Sequence, residues 1–582
     1  MKNYKKVYAA FILAGGLILH GCNGIFDDLA INPNQPSMGA YFTSPSAVND
    51  AVMTMYGYMS TQRCLGASGS KTTIIRSDEA SSNSDYGKPG MFGADLNASY
   101  YTIEQPYTLM YTTASQASYI IETAPSVDFS GNEELRNAYM GEAYFWRAFA
   151  HYYLLINFRN ISPIRQMPRN GDDYVRPLEK PAAVWNFIQE DLAHAKELLP
   201  VKGYWDSKNA GRVTKASAAA LLGKAYLYRS GIEQYYGEDK TTFYSEAAKE
   251  FGDVIDGKYG TYDLTKNYAD NFDVAHENNE ESILEFQFLG DVDNAGFNPG
   301  LATSGLAFDS RGLMLPGAGV GYEGVVHNWL YNAFVNSVDK DGYTDIRMFS
   351  TMIFNDLDAG IHLRNDVGGN PVRLEGPGGY KWEELYPAKN GKEGFATVSN
   401  PLAHSFKAGI RKGIDCSMPT QTEADGTPKL VGVGAGVKEY VYNQPRAHGV
   451  NWRYIRYADV LMMYAESVVS GGTPASNMTP LQAVNKVRGR ANMSELPSVT
   501  MADIQNERIL EFALEGHRFY DLLRWGKLAS RFTELQESDP NFKKFISADD
   551  FKGFVTNKHE WLPIPINEVN SNPYITENNP GY

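Results

Sequence analysis

From Tyr41 onward, most of the chain carries its apolar residues at helical spacing. Leu135, Tyr139, Phe145, Trp146, Phe149, Tyr152, Tyr153 and Ile156 follow a period close to 3.6 but spread wider than one stripe, which predicts a helix buried on most sides. Ser130-x-x-Glu133, just ahead of it, has the order of a capping box, in which two side chains satisfy orphan backbone donors at a helix start. Val184, Phe187, Ile188, Leu192, Ala195, Leu198 and Leu199 predict a second helix, ended by Pro200. Thr214 to Tyr226 predicts a third, whose alanines and Gly223 allow close helix–helix approach, and Phe243 to Ile255 a fourth. Helices in succession with small residues and large aromatics at their contacts suggest tetratricopeptide-like hairpins. No clean repeat of about 34 residues aligns, so any repeats are degenerate.

The texture changes between about Ser282 and Gly449. The segment from Glu281 to Leu289 alternates in part and predicts a strand, and a Gly/Asp/Asn-rich stretch with few periodic runs follows. Loops of that length inside a compact protein are usually functional. Helical spacing returns with Tyr457, Val460, Leu461, Tyr464 and Val468, then with Leu481 to Arg490. Thr500-x-x-Asp503 resembles a second capping box, opening a helix that the apolar face Ile509, Phe512, Ala513, Gly516, Phe519, Tyr520 and Leu523 carries to about Trp525.

The N-terminus reads as a targeting segment. Lys2, Lys5 and Lys6 precede the apolar run Val7 to Leu19, too short for the ~20 residues of a membrane span, which predicts a cleaved secretory signal. It ends in Leu19-His20-Gly21-Cys22, which resembles the bacterial lipobox, with His20 where a small residue is usual. Cys22 is therefore the expected lipidation site, and several acyl chains on one cysteine anchor a polypeptide stably. Losing the signal lysines takes the net charge from −15 to −18, and a chain so acidic lacks the basic face that a duplex nucleic-acid binder needs. Of 3 cysteines, Cys64 and Cys416 then remain, either as a pair or as two buried thiols.

Candidate chemistry thins out on inspection. Arg508, Glu511, Glu515 and Arg518 share one helix face as cation, two anions, cation. A hydrolase needs its two carboxyls on opposite sides of a bond, at least ~5 Å apart, whereas adjacent glutamates beside arginines read as a structural ion network. The 10 histidines form no His-Glu-x-x-His or Cys/His ligand spacing. Neither Gly317 to Gly321 nor Gly432 to Gly436 has the spacing of a phosphate-binding loop, and Asp291 to Asn294 has no EF-hand order. No catalytic residue, metal site or cofactor is expected. What remains are loops rich in aromatic and amide side chains, one from Arg76 to Tyr101 and one over about 290–330. Sugars need rings for their C–H faces and directional partners for their hydroxyls. The candidate glycan contacts are Arg76, Asp78, Asn83, Asp85, Tyr86, Phe92, Tyr100, Tyr322 and Trp329. Aromatics reach 13% of the chain with 38 tyrosines, and helix contacts such as Tyr152, Tyr457 and Tyr464 account for a large share.

Several stretches resemble the SusD-like (SusD/RagB) family of outer-membrane lipoproteins. Glu142-Ala-Tyr-Phe-Trp-Arg-Ala-Phe-Ala-His-Tyr-Tyr-Leu-Leu155 is similar to one family helix, Arg456-Tyr-Ala-Asp-Val-Leu-Met-Met-Tyr-Ala-Glu466 to another and Val484 to Arg490 to a third. Glu507 to Gly526 resembles the family's most specific stretch, and Leu562-Pro-Ile-Pro565 with Asn578-Asn-Pro-Gly-Tyr582 its ending. The resemblance implies a mainly α fold with tetratricopeptide-like hairpins, few short strands and a long loop-rich ligand-facing region. The implied division is a signal over 1–21, a lipidated tether over 22–40 and one SusD-like domain over 41–582. Within that domain lie a hairpin scaffold over 41–280, a loop-rich region over 281–450, C-terminal helices over 451–530 and a tail over 531–582. It further implies a non-catalytic protein of the cell surface, held at the outer membrane by lipid, that delivers oligosaccharides to a SusC-type TonB-dependent transporter. A peptide-nutrient receptor of the same architecture is the alternative. The loops over 76–101 and 290–330 lie where family members hold their ligands, a likeness of position only.

Overall fold

Helix α1 (Pro45–Met59) starts where the Ser44 hydroxyl accepts from the Ala47 N–H, and it buries Val48, Ala51, Val52, Met55 and Met59, one face at helical spacing. The computed structural model to which it belongs describes residues 42–61, 63–82, 96–169, 171–288, 308–309, 324–376, 381–386, 388–397, 404–413, 430–433, 437–440, 447–448, 450–539 and 554–582. The protein is mainly helical with few short strands.

Next come α2 (Tyr101–Thr123), α3 (Glu133–Phe158), α4 (Pro181–Leu198), α5 (Lys215–Tyr236) and α6 (Tyr244–Ile255), each packed on the one before it. Most of α3 is buried on all sides, as its wide apolar spacing requires. Its cap is not the expected box. Asn132 caps it by accepting from the Leu135 N–H, while Ser130 sits outside the helix at φ 52°. The predicted close approach at Gly223 of α5 is real: a Cβ there would stand 2.7 Å from the Phe251 ring of α6.

The later helices are α7 (Asn328–Val335), α8 (Tyr457–Val469), α9 (Pro480–Arg490), α10 (Met501–Glu511), α11 (Arg518–Arg524), α12 (Leu528–Ser538) and α13 (Ile566–Ser571). The α8 helix packs on α6, and α11 packs on α5, so the C-terminal helices close on the N-terminal ones. Among the described residues, one apolar cluster runs from Phe42 to Ile575. The Thr500 capping box is present, but the helix it opens stops at Glu511 instead of reaching Trp525. Leu514 and Gly516 take φ 62° and 85°, which no α-helix accommodates, and a Cβ on Gly516 would meet Thr73 Oγ1 at 2.9 Å. The face that looked continuous in sequence is two short helices with a turn between them.

The strands are β1 (Ala80–Ser82), β2 (Ser282–Phe286), β3 (Phe308–Asp309), β4 (Gly324–Val326), β5 (Met352–Phe354), β6 (Ala408–Ile410), β7 (Leu430–Val433), β8 (Val437–Tyr440), β9 (Ala447–His448) and β10 (Trp452–Arg456). A four-stranded sheet runs β1-β4-β6-β5, and the remainder pair two by two, β2 with β10. The predicted strand after Glu281 is β2. Gly432 lies within β7, which pairs with β8, while Gly434 and Gly436 lie outside the described residues.

Candidate functional site

The two loops singled out in the sequence are far apart in the chain but share a base. Strand β1 pairs antiparallel with β4, setting Ala80 opposite Val326 and Ser82 opposite Gly324. Residues 83–95 therefore leave from, and residues 310–323 arrive at, neighbouring strand ends. Asn83, Asp85, Tyr86, Phe92 and Tyr322 lie outside the described residues, as do Cys22, Cys416 and Asp291 to Asn294. Cys64 is buried.

The four described candidates differ in fate. Trp329, on α7, is half-buried beside the shared base. Its indole N–H donates to the Asp78 carbonyl at 2.5 Å, and the Arg531 guanidinium lies 4.2 Å from its ring centre. Tyr100 is half-buried just before α2, its ring 5.5 Å from that of Tyr101, which is 40% exposed. Arg76 and Asp78 correct the expectation. Arg76 is 1% exposed, stacks over Phe519 at 4.0 Å and donates to Asn157 Oδ1 and to the carbonyls of His559 and Glu560. Asp78 is 0% exposed and bridges Arg518 at 2.9 Å and Arg531 at 2.6 Å. Both are framework residues, with no face turned outward.

Electrostatics at the base follow from that burial. Burial alone would raise the Asp78 carboxyl, but Arg518 and Arg531 hold it below its ordinary range. Its neighbour Glu79 accepts from the Leu514 N–H at 3.0 Å and has no ion-pair partner among the described residues. Burial pushes the Glu79 carboxyl up to about 8, with Asp78 adding to the rise. His327 meets Ser81 Oγ through Nε2 at 2.5 Å, and burial lowers its pKa to about 4.

The Arg508–Glu511–Glu515–Arg518 constellation is a structural ion network, but its members pair with other elements and not with one another. Arg456 reaches Glu281 and Glu511 at 2.6 Å each and Glu515 at 2.9 Å. Arg347 meets Glu511 at 3.1 Å and Glu507 at 2.5 Å, and Arg490 also bonds Glu511. Lys412 holds Glu515 at 2.8 Å, while Arg508 binds Asp459 and Asp521 at 2.8 Å each. Burial raises the Glu281 carboxyl, yet Arg490 and Arg456 outweigh it and bring its pKa to about 2. These carboxylates are sealed and fully bonded, which suits a framework. Among the described residues no group of three His, Cys, Asp or Glu side chains could hold a metal ion, and no helix is long and apolar enough to cross a membrane.

Sequence reasoning missed a cleft of about 380 Å³ between α2, the segment around Ser162 to Arg176, and α13. Glu104, Thr108, Thr112 and Ser115 bring one face of α2 to it. In sequence they form the ordinary polar stripe of a surface helix, and the opposite wall comes from residues more than 400 positions away.

Stacked helices closed by the C-terminal helices, with a small sheet from whose neighbouring strand ends residues 83–95 depart and at which residues 310–323 arrive, define a helical scaffold. The chain belongs to the SusD-like family. Residues 421–582 match the SusD family model, and residues 31–227 match the family described as starch-binding, associating with the outer membrane. A SusD-like protein of Bacteroides ovatus is 24% identical over 90% of this chain and 83% of its own length. In fold the chain is similar to a SusD superfamily protein of Bacteroides vulgatus, with TM-score 0.67, 23% identity and coverage of 93% of this chain and 100% of that one. It is likewise similar to surface glycan-binding protein A of Bacteroides thetaiotaomicron in complex with laminarihexaose, with TM-score 0.66, 18% identity and coverage of 92% and 100%.

Proposed function

We propose that this protein is a non-catalytic, cell-surface lipoprotein, anchored at the outer membrane through Cys22, that captures oligosaccharides on its loop face. It then delivers them to a SusC-type TonB-dependent transporter. The observation that carries the reading is the β1–β4 pairing, which gives the two aromatic- and amide-rich loops one base beside Trp329. Family membership and the laminarihexaose complex of a protein of like fold support the ligand class. Of the candidate contacts, Trp329 and Tyr100 among the described residues and Asn83, Asp85, Tyr86, Phe92 and Tyr322 beyond them remain in the proposal. An open aromatic platform leaves much of a glycan solvated, so binding is modest.

Calorimetric titration of a glycan panel tests this. One oligosaccharide class binds, and Trp329→Ala or Tyr100→Ala weakens it at least about tenfold, the scale of one lost aromatic contact. Peptides binding where every glycan fails would move the protein to the peptide-nutrient class. For the anchor, Cys22→Ala releases the protein from the membrane fraction.

A further inference from the structure

None of the candidate glycan contacts lines the α2 cleft, and its hydrogen-bonding inventory leans to acceptors. Four of its hydroxyls have already donated their protons: Thr112 to the Thr108 carbonyl at 2.9 Å, Ser115 to that of Tyr111 at 3.0 Å, Ser162 to that of Arg176 at 3.0 Å and Ser571 to that of Asn567 at 2.7 Å. Each keeps only lone pairs to offer. Glu104 accepts from Asn567 at 2.5 Å and Glu568 from Asn572 at 3.1 Å, each through Oε1, and the Oε2 atoms have no donor among the described residues. The cation of the lining, Arg176, has Nε committed to the Asp173 carbonyl and Nη1 to that of Pro163.

Acceptors thus outnumber donors in the lining, where the carboxylates of Glu104 and Glu568 each keep an oxygen without a donor among the described residues, beside one guanidinium. Tyr107 and Tyr111 supply ring faces, their centres 4.8 Å apart. Burial raises both phenols, and the Glu568 carboxylate adds to the rise, which keeps them neutral. A sugar hydroxyl brings one donor but also lone pairs that need donors, which this lining has few of; an ammonium brings three donors and no acceptor. Ring faces and carboxylates favour the same charge. About 380 Å³ is far more than a bare ion fills and lies in the range of small-ligand pockets.

We propose that the cleft is a binding site for a small organic cation carrying an ammonium or guanidinium group, supplied by an amino sugar or by a basic amino-acid side chain. The proposal goes beyond the loop-face reading and concerns different residues. The test is calorimetric titration of the purified protein with glucosamine, N-acetylglucosamine and arginine amide. Glucosamine or arginine amide gives saturable binding, whereas N-acetylglucosamine, the same ring without the charge, binds at least tenfold more weakly. Preference between the two cations identifies the source. Glu568→Gln weakens the favoured cation about tenfold, the scale of one charge-assisted hydrogen bond, and Thr108→Arg, at an exposed position, abolishes binding by placing a guanidinium in the cleft. Equal binding of the neutral and charged sugars, no binding of either cation, or binding unaltered in both variants overturns the proposal.

Discussion

Two acid-rich regions of this protein are put together in opposite ways. Around Glu511 every carboxylate meets a guanidinium: Arg347, Arg456 and Arg490 converge on it from three different segments. Along the α2 cleft, Glu104 and Glu568 each take one bond from an asparagine amide and keep an oxygen with no donor among the described residues. The first arrangement fixes how distant segments meet, because a buried charge stripped of its partners is too costly to tolerate. The second leaves electrostatic capacity for something that arrives from outside. A cluster of acids is therefore no guide to function until its partners are known, and the more conspicuous cluster is the inert one.

The contrast breaks hardest at Glu511. Glu511→Ala leaves three buried arginines short of a partner and costs about 3–5 kcal/mol, read as a lower urea midpoint for unfolding. A loss below about 1 kcal/mol would mean that water enters the network and that it is no framework.

Glu79 sharpens the comparison from inside the framework, as a buried carboxyl without a guanidinium of its own. Its folded pKa of about 8 lies above the unfolded value near ~4.3, so the native state binds the extra proton between those limits. Its contribution to stability is complete below about 4.3, falls as pH rises and is gone above about 8, a slope of up to about 1.4 kcal/mol per pH unit. Glu79→Gln removes that slope and raises stability at pH 8 relative to the parent protein. Urea midpoints at pH 5, 6.5 and 8 check it, and parallel curves for the two proteins would refute it.

What the sequence made legible follows the same line. Thr500 and Asp503, a local pair, sit where the spacing predicted, and the apolar face of α3 is buried as its period required. Family resemblance carried the fold, because its motifs are scaffold. Local signals failed where a distant partner decides the outcome. Arg76 and Asp78 sit in a polar stretch that reads as an exposed loop, but Glu560, Arg518 and Arg531, more than 400 residues on, bury them. The helix expected to run through Gly516 breaks because Thr73 and Glu79 occupy the space and the bonding it would need. The α2 cleft joins residues 104–176 to 565–571 and has no periodicity to betray it.

A smaller effect belongs to the Thr500 cap, where local bonding acts alone. Thr500→Ala loses the bond to the Asp503 N–H and lowers stability by about 1 kcal/mol. An effect as large as that of Glu511→Ala would show that α10 is positioned by its cap and not by the ion network, which thermal unfolding of both variants resolves.

The smallest effect lies in the cleft, and it separates the two regions most cleanly. In Glu104→Gln the amide oxygen still accepts from Asn567, so the contact is kept and only charge is lost. No arginine is left unpaired, because Glu104 has no ion-pair partner among the described residues. Stability should therefore change by less than about 0.5 kcal/mol, as for surface substitutions away from structural features. Affinity for the favoured ammonium or guanidinium probe should fall several-fold in the same protein preparation, because that charge faces the ligand space. A stability loss on the scale of Glu511→Ala would place the cleft within the framework and make its acceptors structural. Function without stability at Glu104, and stability without function at Glu511, is the pattern that the two modes of construction require.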